Sequence, residues 1–168
     1  YEIVQFSGHG SEAGIYLEKD LTDEGGIVSA IHVAALLREA LPDLRAAIFV
    51  SCFSNAFAKE LLDVAAYTIT LDGTTDDDAA IEFISAFYDC YFQFNSIENA
   101  FRNACISIDV FGKGDIIKPL LYRRAKEKNK KGRIATHSSK TKGSFFDSFF
   151  KKSQEFFVEK DIDKEEEK

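Results

Sequence analysis

Cysteine is scarce in this chain. Cys52, Cys90 and Cys105 are an odd set at irregular spacing that cannot make a disulfide framework, so a reducing, cytoplasmic setting is expected. Histidine is as sparse. His9, His32 and His137 stand far apart with no paired cysteines beside them, and no metal site is expected. No apolar run approaches a membrane span, and no secretory signal pattern opens the chain. A P-loop and a G-x-G-x-x-G run are both missing, which removes support for a nucleotide cofactor. The absence of G-x-S-x-G argues against a serine hydrolase. No cofactor of any kind is expected.

What is present suffices for a core. The 168 residues are 45% hydrophobic and 29% charged, which fits one folded domain and excludes full disorder. Charge is divided unevenly. Residues 1–122 carry seven Lys/Arg against nineteen Asp/Glu, a net of −12, and residues 123–168 carry fourteen against nine, a net of +5. The reading is an acidic globular body over 1–122, a basic linker over 123–142, and a Phe-rich helix with a charged tail over 143–168. Tyr1 opens directly into a strand-like run, so the body is expected to be incomplete on its N-terminal side.

Within the body the patterning alternates between strand and helix. Residues 2–6 read as a strand ending in the turn Ser7-Gly8-His9-Gly10, and Ile15 to Leu17 as a small extra strand. Ser29 is a candidate N-cap for a helix that Pro42 closes. The apolar run 46–51 suits a strand covered on both faces, and Ser54 or Asn55 is expected to cap a helix through about residue 65. Tyr67 to Leu71 forms the next strand. The acidic turn after it leads into a helix with Ile81, Ile84, Phe87, Tyr88 and Tyr91 on one side. Ser96 caps a further helix with a regular apolar period, and Ile116 to Tyr122 offers one more strand. The expected fold is α/β: a three-layer αβα sandwich around a mainly parallel sheet, with a C-terminal tail.

In such sheets functional groups collect beyond the carboxyl ends of the strands. Three loops occupy that position: 7–10, Cys52-Phe53-Ser54, and 72–78. Neighbouring strands lie roughly 4.8 Å apart, so His9 and Cys52 would stand side by side if their strands are adjacent. A thiolate is the reactive form of cysteine. An imidazole can take its proton and return it to a leaving amine, and a helix beginning at Cys52 would add its dipole. The Gly10 and Cys52 N–H groups could form an oxyanion hole, with Gly8 and Gly10 leaving room for a substrate carbonyl. The plainer readings are a histidine that only serves a turn and a cysteine that only packs. Asp72, Asp76, Asp77 and Asp78 could attract a Lys or Arg side chain. Asp76 and Asp77 also suit the helix N-terminus behind them, which leaves Asp72 as the candidate substrate contact.

The run Ile-Val-Gln-Phe-Ser-Gly-His-Gly at 3–10 resembles the histidine motif of CHAT domains, members of the caspase–separase peptidase clan. The run Ile-Phe-Val-Ser-Cys-Phe-Ser-Asn-Ala-Phe-Ala at 48–58 resembles their cysteine motif. Asp77 to Phe83, Phe87-Tyr88 and Ser96 to Phe101 are similar to the helices that follow in bacterial members. The 43-residue step from His9 to Cys52 is of the order of the roughly 50-residue interval of caspases. The resemblance spans about residues 1–122 and implies a caspase-like cysteine endopeptidase acting on protein or peptide substrates. It makes His9 the general base, Cys52 the nucleophile and Gly10 an oxyanion-hole glycine. The basic preference of several clan relatives agrees with a role for Asp72. The family normally places one or two strands and a helix before the histidine strand, and the cysteine motif here is not the caspase version.

Several residues fall outside this chemistry. Cys90 and Cys105 lie on apolar helix faces and are expected to pack. The linker is read as solvated, and no nucleic-acid partner is assigned. Phe145/Phe146, Phe149/Phe150 and Phe156/Phe157 recur at offsets that share one helical face. That face calls for cover by this domain, a partner protein, a membrane surface or a second copy of the chain, and protein is preferred because the polar face carries acids as well as lysines. The rival to the peptidase is a non-catalytic CHAT-like interaction module using this tail.

Overall fold

The run Ala46–Val50 is the centre of the molecule, and its composition explains why. In the computed structural model, which describes residues 2–18 and 25–124, all five of its residues are buried. A strand can be apolar on both faces only where both are covered. Here the alternation of side chains divides two cores. Ala46, Ile48 and Val50 face one cluster, and Ala47 and Phe49 face the other.

The elements run in order as β1 (Ile3–Ser7), β2 (Gly10–Ser11), β3 (Gly14–Glu18), β4 (Gly25–Val28), α1 (Ala30–Ala40) and β5 (Ala46–Val50). A 3-10 turn (Ser54–Phe57) follows, then α2 (Ala58–Leu62), β6 (Tyr67–Asp72), α3 (Asp77–Phe94), α4 (Ile97–Val110) and β7 (Lys118–Arg123). The main sheet has the order β1-β5-β6-β7. β1 and β6 flank β5 in parallel, and β7 is antiparallel to β6. The cluster beneath Ile48 is filled by α3 and α4, and the cluster beneath Phe49 by α1, α2 and the 3-10 turn. The arrangement is therefore an α/β fold with helices on both faces of a mainly parallel sheet. α3 and α4 are consecutive helices on one face, so the chain has already turned back when it reaches β7. This is why the last strand runs against the others.

Local signals account for most boundaries. The Asp76 carboxylate accepts the Ala79 N–H at 2.9 Å and Ser96 Oγ accepts the Asn99 N–H at 3.3 Å, so α3 and α4 are capped as their sequences suggest. α1 stops at Ala40, one residue before Leu41 and Pro42. Ser29 occupies the cap position but makes no cap bond. Its hydroxyl meets the His32 ring at 3.0 Å instead.

One expectation needs correction. The helix expected from Ser54 or Asn55 to about 65 is instead a four-residue 3-10 turn followed by a five-residue α-helix. Phe53 before it is left-handed (φ 56°), and the Ser54 hydroxyl is engaged elsewhere, as described below. The small extra strand expected at 15–17 is present as β3, in a separate antiparallel sheet of order β2-β3-β4.

Arg123 and Arg124, the first residues of the expected linker, are bound to the body: Arg123 ends β7, and the Arg124 N–H donates to the Ala66 carbonyl at 2.9 Å. The rest of the linker and the Phe-rich segment lie outside the described residues. Among the described residues no helix is long and apolar enough to cross a membrane.

Candidate active site

β1 and β5 are paired in register, Ser7 opposite Val50, and the Gly8 N–H extends the ladder to the Val50 carbonyl at 3.3 Å. Two residues further on, the strands release His9 and Cys52 at the same edge of the sheet. The tie between the two loops is Gly10. A Cβ placed on it would sit 2.8 Å from the Cys52 carbonyl oxygen, 2.8 Å from Ser51 Oγ and 3.1 Å from Ser51 Cβ. Only a residue without a side chain lets the histidine loop lie this close to the cysteine strand.

The histidine loop is held from its other side by the small sheet. The His9 carbonyl accepts the Tyr16 N–H at 3.0 Å, and Gly10 pairs with Ile15, which is itself buried in the core under α1. With the bond running from Tyr16 to His9, the Gly10–Ile15 pair is of the non-hydrogen-bonded kind, which leaves the Gly10 N–H turned away from β3. The His9 side chain is exposed.

The cysteine loop is fixed by groups the sequence did not single out for that task. The Phe53 N–H donates to the Gly73 carbonyl at 2.8 Å, joining this loop to the one after β6. Gly73 has φ 79°, a left-handed conformation that suits glycine. Ser54 is fully buried. Its hydroxyl donates to the Phe49 carbonyl at 2.9 Å and accepts the Leu71 N–H at 2.9 Å, clamping β5 to β6. The sequence offered a serine after an apolar strand, which reads equally well as a helix cap.

Cys52 is half-buried and its thiol is free. Its backbone N–H makes no hydrogen bond among the described residues. The helical segment behind it starts two residues later with the 3-10 turn, so the dipole expected at Cys52 is that of a short element. Among the described residues no hydrogen bond joins the His9 ring to the Cys52 thiol. The structure thus brings the backbones of His9, Gly10 and Cys52 together.

Asp72 directly precedes Gly73, whose carbonyl holds the Phe53 N–H beside Cys52. Asp72 itself is exposed at the end of β6, beside Lys118 in the β7 register. Burial raises the Tyr122 phenol above its ordinary range, and the Asp72 charge adds to that. Asp76 serves as the α3 cap, and Asp78 lies 4.0 Å from Lys113.

The remaining cysteines behave as packing residues. Cys90 and Cys105 are buried between the sheet and α3/α4. Burial, helped by the Asp109 charge, pushes the Cys105 thiol up to about 12. Among the described residues no group of His, Cys, Asp and Glu could hold a metal ion.

No family model matches the chain, and no curated protein matches it. What can be said of the site rests on its own geometry.

Proposed function

We propose that this chain is a cysteine endopeptidase of the CHAT, caspase-like type, with Cys52 as nucleophile and His9 as general base. The observation that carries the reading is the contact of Gly10 with Ser51 and Cys52, which joins the two loops at the carboxyl edge of a mainly parallel sheet. In the reaction the thiol proton passes to the His9 imidazole and the sulfur bonds to the scissile carbonyl carbon. The C–N bond then breaks as the imidazolium protonates the departing amine. Water hydrolyses the thioester, its proton passing through His9, and releases the carboxylate and the thiol. The unpaired Cys52 N–H, with that of Gly10, is suited to the developing oxyanion. Protein or peptide substrates and a cytoplasmic location go with this reading, with a preference for basic residues if Asp72 contributes.

The test is turnover of an unfolded protein or a peptide with Lys or Arg before the scissile bond. Cleavage should be lost in Cys52→Ala and reduced at least roughly a hundredfold in His9→Ala. Cleavage that persists in Cys52→Ala overturns the assignment.

The alternative is a non-catalytic CHAT-like interaction module. The absence of a hydrogen bond between the His9 ring and the Cys52 thiol favours it, although such bonds often tighten only with substrate in place. Stable folding with no turnover of any basic peptide would support the module.

A further inference from the structure

One flank of α3 carries a stripe of large apolar side chains, of which Ile84 and Tyr88 lean half-buried on the core while Ile81 and Phe92 stand out in water. Ile81, Ile84, Tyr88 and Phe92 follow one another at helical spacing. Ile81 is 64% exposed and Phe92 79%, and the Tyr88 and Phe92 rings stack at 5.7 Å. Phe94 adds a further exposed ring where the helix ends. Exposed acids flank the stripe, Asp78 and Asp89 among them. An exposed apolar strip of this kind marks a contact surface, and its rim is mainly acidic, with Lys113 beside Asp78 as a cation.

We propose that residues 145–157 of this same chain dock on the α3 stripe. The phenylalanine pairs at 145/146, 149/150 and 156/157 supply an apolar face whose spacing matches a helix. The charges are complementary: nine Lys/Arg and one acid in 123–142, with Lys151 and Lys152 among the phenylalanines, meet the acidic rim.

The point where the described chain ends also fits. The Arg124 N–H bonds the Ala66 carbonyl at the start of β6. The adjoining residue Tyr67 donates its N–H to the Arg45 carbonyl at 3.0 Å. The Arg45 guanidinium in turn reaches Asn95 Oδ1 at 2.6 Å, at the C-terminal end of α3. The chain therefore leaves the body at the same end of the sheet as Phe92 and Phe94. From there the 20 residues of 125–144 span up to roughly 70 Å if extended and roughly 25 Å as a random coil. The 18 residues of α3 extend about 27 Å, so the whole stripe is within reach. The Phe92 end lies opposite the sheet edge that bears Cys52 and His9. This docking is thus independent of the peptidase reading.

The experiment uses the full chain with Phe149→p-benzoylphenylalanine, irradiated at low micromolar concentration, with adducts mapped by mass spectrometry. Docking in cis gives adducts on residues 77–94 within one chain, with a yield independent of concentration. Phe92→Asp should lower that yield roughly tenfold while the fold survives with a thermal midpoint only a few degrees lower, since the ring is exposed and loses just its contacts with Tyr88 and Tyr91. Adducts joining two chains overturn the proposal in favour of a second copy. Adducts elsewhere on the body, adducts only when anionic vesicles are added, or no adduct at all overturn it too.

Discussion

Replacing Gly10 by alanine would test the contact between the histidine and cysteine loops without touching the side chain of His9 or Cys52. The new methyl would meet the Cys52 carbonyl oxygen and Ser51 Oγ at 2.8 Å each. Such contacts call for roughly 0.5 Å more room, and the Cys52 oxygen, being backbone, cannot rotate aside. Overpacking of this kind costs roughly 1–3 kcal/mol, tolerable within the roughly 5–15 kcal/mol of an ordinary domain. The protein should therefore remain folded. Activity should suffer more. Displacing reacting groups by about 1 Å can cost roughly a hundredfold, and misplacing an oxyanion donor costs roughly 10²–10³. Paired measurements of the urea midpoint and the peptide turnover rate separate the two effects. A modest loss of stability with at least a hundredfold loss of turnover is expected. Wild-type turnover in a folded Gly10→Ala protein would refute the reasoning.

Other outcomes follow from single contacts. Ser54→Ala leaves the Phe49 carbonyl and the Leu71 N–H without their shared partner and should cost roughly 1–3 kcal/mol in chemical denaturation; a change under about 0.5 kcal/mol would mean the clamp is not needed. Raising the pH should destabilise the fold. Tyr67, Tyr88, Tyr91 and Tyr122 are all raised above 10.0, mainly by burial, and Cys105 is raised from 9.0 to about 12. The unfolded chain loses these protons first, so the stability they contribute is intact below about pH 9 and is lost as pH climbs towards 12; circular dichroism that shows no loss of stability over that window contradicts the burial of these groups. Asp72→Asn should weaken binding of a peptide with a terminal Lys or Arg by a few-fold in KM at low salt, with kcat unchanged; an unchanged KM removes Asp72 from the substrate site.

Much of this architecture was legible because several signals agreed at each element. Ala46 to Val50 combined an apolar run with strand length, and Asp76 and Ser96 stood at cap positions before amphipathic periods. The positions of His9 and Cys52 followed from strand ends alone. The rest was hidden where one residue type serves two purposes. The Ser54 hydroxyl suits a helix cap as well as a bridge between strands, and only the approach of Leu71, 17 residues on in the chain, decides between them. β4 begins with Gly25-Gly26, residues that argue against a strand until β3 is alongside. The direction of β7 depended on α3 and α4 lying on the same face, which periodicity cannot tell. Sequence alone offers Gly10 as a backbone N–H donor that leaves room for a substrate carbonyl, and its close approach to Ser51 and Cys52 emerges only from the fold.

The central claim is that Cys52 is a nucleophile activated by His9, and the reactivity of the three thiols tests it most directly. A peptide electrophile ending in a basic residue, followed by intact-mass and peptide mapping, should form one adduct, on Cys52, and leave buried Cys90 and Cys105 untouched. His9→Ala should slow that adduct roughly a hundredfold or more. Equal labelling of all three cysteines, or a Cys52 adduct that forms as fast without the imidazole, would contradict the account.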